Sequence, residues 1–140
     1  MNRLSNIIFY VEDVTKTMAF YELAFGIKQA FIDPTGHYGQ LETGSTALGF
    51  ASLKFAKQNL PQGFHPISSK ELPGCEISFA AKDIHKSVAH AVKSGAQLIS
   101  PPVEKPWGQT VAYVRDFNGI LIELCTEMVS CSSEACSECH

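Results

Sequence analysis

The stretch Val11–Phe20, VEDVTKTMAF, aligns without gaps with the stretch Ala81–His90, AKDIHKSVAH, at an offset of 70 residues. Aspartate, lysine and alanine coincide at the third, sixth and ninth positions, and three further positions are conservative. Self-similarity at a fixed spacing indicates that a chain repeats one structural unit. The sequence therefore predicts two copies of one unit of roughly 70 residues.

Each copy begins a helix at its aspartate. Asp13 and Asp83 stand where an N-cap carboxylate accepts hydrogen bonds from the free backbone N–H groups of the first turn. Apolar residues then recur at helical spacing, and Gly26 and Gly95 follow where a left-handed residue ends a helix most easily. We expect one amphipathic helix in each unit.

The rest of each unit alternates in the manner of β-strands. The predicted strands are about 4–11, 27–32, 38–42 and 46–52 in the first unit, and about 75–81, 96–99, 109–114 and 120–126 in the second. These elements predict an α+β fold of two tandem βαβββ modules, about 4–52 and 75–126, within a single domain at 1–128. The segment of about 53–74 is rich in proline and glycine, which favours a linker and suits a lid over a pocket.

Composition narrows the classes of function. The chain is 45% hydrophobic and carries a net charge of −3 without a basic stripe, which argues against disorder and against nucleic acid as a partner. No apolar run reaches the roughly 20 residues of a membrane span, and the N-terminus lacks a signal-peptide pattern. Cysteine usage fits a reduced, cytoplasmic protein better than a disulfide framework.

The last twelve residues, 129–140, form a cysteine-rich tail. Its Cys136-x-x-Cys139-His140 spacing permits a soft metal, but residues 131–140 include no large hydrophobic side chain with which to pack. We expect a disordered terminus.

Strand parity identifies the candidate polar face. Ile7, Phe9 and Val11 are predicted to pack under the first helix, with Asn6, Ile8 and Tyr10 on the opposite face. The offset of 70 places Glu76 at the position of Asn6, and alternation in the last strand places Glu123 on the equivalent face. Two interpretations remain open: both carboxylates face solvent, or they converge in a partly buried site and repel until a cation, a metal or a shared proton balances them.

Two motifs resemble the vicinal oxygen chelate superfamily, which includes glyoxalase I, bleomycin-resistance proteins and extradiol dioxygenases. The first runs from Val11-Glu12-Asp13 through Phe20-Tyr21 to Phe25-Gly26-Ile27. The second runs from Pro106-Trp107-Gly108 to the stretch 115–124, RDFNGILIEL. The resemblance covers Leu4 to Met128 and implies paired modules whose curved mixed sheets form a cup-shaped pocket, with a homodimer as the expected assembly.

The resemblance also implies four metal-ligand positions, which fall on Asn6, Gly49, Glu76 and Glu123. Gly49 has no side chain, and the histidines of the sequence lie elsewhere. Two carboxylates and one amide oxygen still suit a divalent metal. One such ion, Mg²⁺, Mn²⁺, Ni²⁺ or Zn²⁺, is therefore the candidate cofactor, with Asn6, Glu76 and Glu123 as its ligands.

Two functional hypotheses follow. The first is a binding protein of the bleomycin-resistance type that holds a small, cationic molecule in an acidic, aromatic cup. The second is a metal-dependent lyase or isomerase similar to lactoylglutathione lyase, with Glu76 and Glu123 as catalytic groups. Whether the protein is an enzyme stays open. The predicted ligand-binding residues are Tyr10, Phe50, Phe64, Trp107, Gln109 and Tyr113.

Overall fold

The two modules of the repeat are present, and each is built around its own four-stranded mixed sheet. The structure is a computed structural model that describes residues 1–128. The first module comprises β1 (Asn6–Val11), α1 (Val14–Phe25), β2 (Gln29–Ile32), β3 (Tyr38–Leu41) and β4 (Ala47–Ser52). After α2 (Leu53–Asn59), the second comprises β5 (Ile77–Ala81), α3 (Ile84–Lys93), β6 (Gln97–Glu104), β7 (Thr110–Arg115) and β8 (Leu121–Thr126).

The two sheets have the same strand order. The first sheet runs β1-β4-β3-β2 and the second β5-β8-β7-β6, and in each the first and last strands of the module pair in parallel. Ile8 pairs with Gly49 in the first sheet, and Ser78 pairs with Glu123 in the second. Because Ile8 and Ser78 are related by the offset of 70, Gly49 and Glu123 occupy equivalent positions in the two modules.

Both predicted helix starts are confirmed. The Asp13 carboxylate accepts a hydrogen bond from the backbone N–H of Lys16, and the Asp83 carboxylate accepts one from that of Lys86. Gly26 ends α1 in the left-handed conformation at φ 69°. The buried residues of α1, such as Met18 and Tyr21, pack with strands of the first sheet, and Ile84 and Val88 of α3 pack with the second. The strand faces beneath the helices thus form the core.

A buried carboxylate joins the two modules. The Tyr21 hydroxyl of α1 donates to Asp116 Oδ2 at 2.8 Å, across 95 residues of sequence. Asp116 also accepts from the backbone N–H groups of Asn118 and Ile120 and from the Asn118 side-chain amide. Burial is the main cause that raises the pKa of Asp116, and burial followed by the charge of Asp116 holds the pKa of Tyr21 well above 10.

A buried guanidinium attaches the linker to the second module. Arg115 is 5% exposed, and its Nη2 donates to the backbone carbonyls of Ser68, Glu71 and Gly119. Gly119 has a φ of 98°, and a Cβ there would collide with the Ser68 backbone. Glycine at 119 thus permits both the turn and the close approach of the linker.

Three local expectations differ from the structure. The segment predicted as linker begins with α2, which Ser52 caps by accepting from the Phe55 backbone N–H. Strand β6 extends to Glu104 through two prolines, beyond the predicted end at residue 99; this is compatible with its place at the sheet edge. Ile7 is 49% exposed, because it lies beside a cleft and not under α1.

Two further expectations concern the C-terminal tail and the absence of a membrane-spanning segment. The prediction of a disordered tail at 129–140 falls outside the described residues. Within residues 1–128, no helix combines the length and the apolar character needed to cross a bilayer.

The joint between the modules leads to a stability prediction. Tyr21→Phe removes the hydroxyl that donates to Asp116, and we expect the free energy of unfolding at pH 7 to fall by about 1 kcal/mol. A tyrosine whose folded-state pKa is raised contributes its stability below pH 10, so the full effect is present at pH 7. Urea unfolding followed by circular dichroism measures this change.

The control is Tyr10→Phe, which keeps the ring contact with Phe64 and should cost less than about 0.5 kcal/mol. Equal losses in the two variants would contradict the role of the Tyr21 hydroxyl in joining the modules.

Candidate functional site

The second sheet carries an acidic cluster on the face opposite α3. The ladder places Ser78, Glu123 and Tyr113 side by side on β5, β8 and β7. The Ser78 hydroxyl donates to Glu123 Oε1 at 2.7 Å, and the Tyr113 hydroxyl donates to Glu123 Oε2 at 3.1 Å. Both oxygens of the Glu123 carboxylate are thus oriented by hydroxyl groups of neighbouring strands.

Glu76 completes this cluster, which we name the acidic cluster: Glu76, Ser78, Tyr113 and Glu123. Glu76 directly precedes β5 and is exposed, whereas the sequence predicted it inside the strand. Desolvation is the largest cause that raises the pKa of Glu76, and the nearby charge of Glu123 is the second. Desolvation, the hydrogen bond to Glu123 and the two carboxylate charges raise the pKa of Tyr113 to about 12. Tyr113 therefore stays protonated and donates at neutral pH.

Glu76 also lies on the rim of an apolar cleft between the modules. The cleft has a volume of about 470 Å³, with Ile7 and Phe9 of β1 on one side and Ile77 and Phe79 of β5 on the other. Glu42 is a second carboxylate in its lining. An adjoining pocket of about 430 Å³ shares Ile7, Phe9 and Glu76 and is lined by linker residues 65–67. The cleft lies between the modules, but its residues Ile7 and Phe9 belong to the face of β1 that the sequence predicted to pack under the first helix.

The predicted aromatic walls are distributed over several places. Tyr10 packs edge-on against Phe64 of the linker, with ring centroids 5.0 Å apart, and Tyr10 also lines the adjoining pocket. Phe50 requires a correction. It is fully buried and packs against Phe9 and Tyr21 in the core, because its strand position points under α1. Phe50 therefore cannot contact a ligand in the cleft.

Trp107 and Gln109 form a separate pair near the end of β8. The Trp107 indole N–H donates to the Gln109 side-chain oxygen, and the Gln109 amide donates to the Thr126 carbonyl. Trp107 is 61% exposed, and neither residue lines the cleft. Among the six predicted ligand-binding residues, Tyr113 is the one that the structure joins to Glu123.

The first sheet does not offer the two metal ligands that would complete a four-ligand centre with Glu76 and Glu123. Gln40 Nε2 donates both to the Tyr38 hydroxyl at 2.7 Å and to Asn6 Oδ1 at 3.1 Å. A Cβ on Gly49 would lie 2.8 Å from the Tyr38 hydroxyl, so this phenol fills the space of a side chain at position 49. The Asn6 oxygen is engaged and position 49 is blocked, and residues 1–128 contain no group of three or more His, Cys, Asp or Glu side chains arranged to hold an ion. The donor set therefore does not fit a four-ligand metal centre.

Tyr38 and Gln40 are two residues of this site that the sequence did not predict. Alternation within the predicted third strand would have placed both on one face, but it could not show that this face meets Gly49. Their role depends on pairing across β3 and β4, where Gln40 lies opposite Gly49.

A family model described as a glyoxalase-like domain matches residues 4–129. Virulence protein STM3117 of Salmonella typhimurium is 25% identical over 129 residues, which cover 89% of this chain and 83% of that protein. A glyoxalase-related enzyme from Fulvimarina pelagi superposes with a TM-score of 0.76 at 16% identity, over 96% of each chain. A glyoxalase/bleomycin resistance protein/dioxygenase family enzyme from Burkholderia phytofirmans PsJN gives a TM-score of 0.71 at 23% identity, over 91% of this chain and 100% of that one. The two solved structures agree with the fold.

The contact between Tyr38 and Gly49 can be tested by substitution. Gly49→Ala should lower the free energy of unfolding by about 1–2 kcal/mol, because the new methyl group meets the Tyr38 hydroxyl. In a Tyr38→Phe background the hydroxyl is gone, and the same change should cost less. Chemical denaturation of the four proteins of this double-mutant cycle measures the coupling.

Gly74→Ala is the matched control, since a Cβ at position 74 would meet no atom within 4 Å. Equal costs at positions 49 and 74, or no coupling to Tyr38, would contradict the blocked ligand position.

The pKa of Glu76, which desolvation and then the charge of Glu123 raise, leads to a pH prediction. A carboxyl group whose folded-state pKa is raised weakens the folded state only when it ionises, so the penalty is absent below its ordinary pKa and appears as pH rises. Glu76→Gln should therefore raise the melting temperature by about 1–2 °C at pH 8 and leave it nearly unchanged at pH 3.5. Differential scanning calorimetry at both pH values measures the shift.

Salt and a second carboxylate provide controls. The gain at pH 8 should shrink in 0.5 M NaCl, because mobile ions screen the repulsion. Glu104→Gln, an exposed carboxylate of β6, should show no such gain. A gain that is the same at both pH values would exclude charge repulsion as its cause.

Proposed function

The chain belongs to the glyoxalase-like domain family of the vicinal oxygen chelate superfamily. We propose that it binds a small organic cation in the cleft between β1 and β5. The observation that carries the proposal is the combination of an apolar cleft with carboxylates at its rim. Glu42 and Glu76 belong to the lining of the cleft, and the charge of Glu123 acts on Glu76.

The charge balance favours a cation over an anion. The lining of the cleft contains no lysine or arginine, and the ion pair found within residues 1–128 joins Lys86 and Asp83 elsewhere. Desolvation and, after it, the charge of Glu123 raise the pKa of Glu76, and a positively charged group nearby would offset both. An anion in the same place would add to the repulsion from Glu123.

The apolar walls suit the body of the ligand. Phe9 and Phe79 offer ring surface, and Ile7 and Ile77 offer aliphatic surface. A cleft of about 470 Å³ falls within the roughly 300–1,000 Å³ of small-molecule sites. Tyr113 and Ser78 orient Glu123 as an acceptor, which supports recognition of an ammonium or amidinium group.

A metal-dependent lyase or isomerase with Glu76 and Glu123 as catalytic groups is the less supported alternative. The residues of the first sheet that would complete its metal site are engaged or blocked, so no catalytic step through a metal follows from this geometry. The homodimer remains an expectation from the family; the exposed side chains of Ile7 and Ile8 on the edge strand β1 support it.

Ligand binding can be tested with a panel of aromatic amidines and amines, benzamidine among them. We expect saturable binding by isothermal titration calorimetry, and at least a tenfold weaker affinity for Glu76→Gln and Glu123→Gln. Glu104→Gln is the matched control and should bind as the wild type does. A parallel titration with Mg²⁺, Mn²⁺, Ni²⁺ and Zn²⁺ examines the alternative.

The outcomes separate the two functions. Loss of amine binding on substitution of the glutamates supports the proposal. Stoichiometric binding of one of the metals that is lost in the same variants would support the lyase alternative. If no amine binds, or if the glutamate variants bind unchanged, the proposed function is wrong.

A further inference from the structure

A second concavity lies at the opposite end of the first sheet from β1. Phe31 of β2, Tyr38 of β3 and Phe55 of α2 line it together with three residues of the β2–β3 turn, Asp33, Thr35 and His37. We name it the hairpin pocket. Its volume is about 520 Å³, and none of its residues lines the cleft between β1 and β5.

Aromatic rings form the walls of the hairpin pocket in two pairs. The rings of Phe31 and Tyr38 are 6.1 Å apart and tilted by 52°. The rings of His37 and Phe55 are 6.4 Å apart and nearly parallel, at 17°. Phe31 is 48% exposed and Phe55 40% exposed, so these two walls present open ring surface to a ligand.

The pocket is held in shape by hydrogen bonds. The His37 ring nitrogen Nδ1 is 2.8 Å from the Ser52 hydroxyl, and the Ser52 backbone N–H donates to the His37 carbonyl at 2.8 Å. The same hydroxyl accepts from the Phe55 backbone N–H at 3.1 Å. The turn, the end of β4 and the start of α2 are therefore fixed relative to one another, which lowers the cost of ordering the rings around a ligand.

One carboxylate faces this aromatic environment. The Asp33 side chain accepts from both the hydroxyl and the backbone N–H of Thr35. The bond from the hydroxyl is the main cause that lowers the pKa of Asp33, so the group is ionised at neutral pH. Besides Asp33, the lining contains one imidazole, that of His37. Lys54 and Lys57 of α2 are not part of the lining.

We propose that the hairpin pocket is a second ligand site and that it binds an alkylammonium group, tertiary or quaternary. Ring faces carry negative electrostatic potential, and they recognise soft, weakly hydrated cations whose charge is spread over methyl groups. Asp33 supplies the matching charge at the edge. A neutral ligand of the same shape would gain the apolar contacts and lose the attraction of the charge, which gives the site its selectivity.

The proposal can be tested with choline and its neutral isostere 3,3-dimethylbutan-1-ol. Titration of the ¹⁵N-labelled full chain, followed by amide chemical shifts, should show saturable changes in residues 31–38 and 53–57 with choline. The isostere should bind at least tenfold more weakly. Phe55→Ala and Asp33→Asn should each weaken choline binding at least fivefold, and because Phe55 is partly exposed, its loss leaves the core intact.

The shifts of individual residues separate this pocket from the cleft, and Glu104→Gln is the matched control. A choline affinity read from residues 31–38 and 53–57 that is unchanged in Glu104→Gln and weakened in the two pocket variants supports the hairpin pocket, whether or not the cleft also binds a cation. Shift changes confined to β1 and β5, equal binding of choline and the isostere, or no saturable change up to 50 mM choline would overturn it. Concentration-dependent doubling of the mass that Phe55→Ala abolishes would overturn it too, because a second copy would then cover the rings.

Discussion

The buried carboxylate of Asp116 is the constraint on which the relation between the modules depends. Four donors meet it, and one of them, the Tyr21 hydroxyl, comes from the other module. A buried carboxylate of this kind is tolerated because its hydrogen bonds replace those to water. Loss of these bonds would destabilise the folded state. The contact fixes how α1 lies against the hairpin between β7 and β8. The same Tyr21 ring packs against Phe79 of β5, which lines the cleft.

The two modules share a topology and differ in chemistry. Equivalent ladder positions hold Gly49 in the first sheet and Glu123 in the second. In the first sheet a phenol and an amide occupy the space around that position; in the second, two hydroxyl groups present a carboxylate. The two halves thus share a backbone topology, while the first presents no carboxylate at the position where the second presents Glu123. Function in such a fold follows from the side chains of a site and not from the topology.

The regular parts of the fold could be predicted because they depend on local signals. Asp13 and Asp83 cap helices through neighbouring backbone groups, and the offset of 70 predicted the same succession of one strand, one helix and three strands in both modules. Parity also placed Glu76 and Glu123 on related faces, and the charge of one does raise the pKa of the other; their assignment as functional residues stays a prediction.

The remainder depends on contacts between distant segments. The burial of Phe50 follows from the packing of α1, and the blocking of Gly49 follows from pairing between β3 and β4. The helix α2 escaped prediction because its apolar residues are few and its cap, Ser52, is also the last residue of a strand. None of these features leaves a repeating pattern in the sequence.

The attachment of the linker by Arg115 changes where the second module begins as a cooperative unit. Two of the three carbonyls that surround this guanidinium belong to Ser68 and Glu71, upstream of the first strand of the module. A fragment cut at residue 75 would retain the buried charge without those acceptors, whereas one cut before residue 68 would retain all three. The boundary defined by strands and the boundary defined by energetics therefore differ by several residues. Dissection of this chain into halves should follow the second boundary.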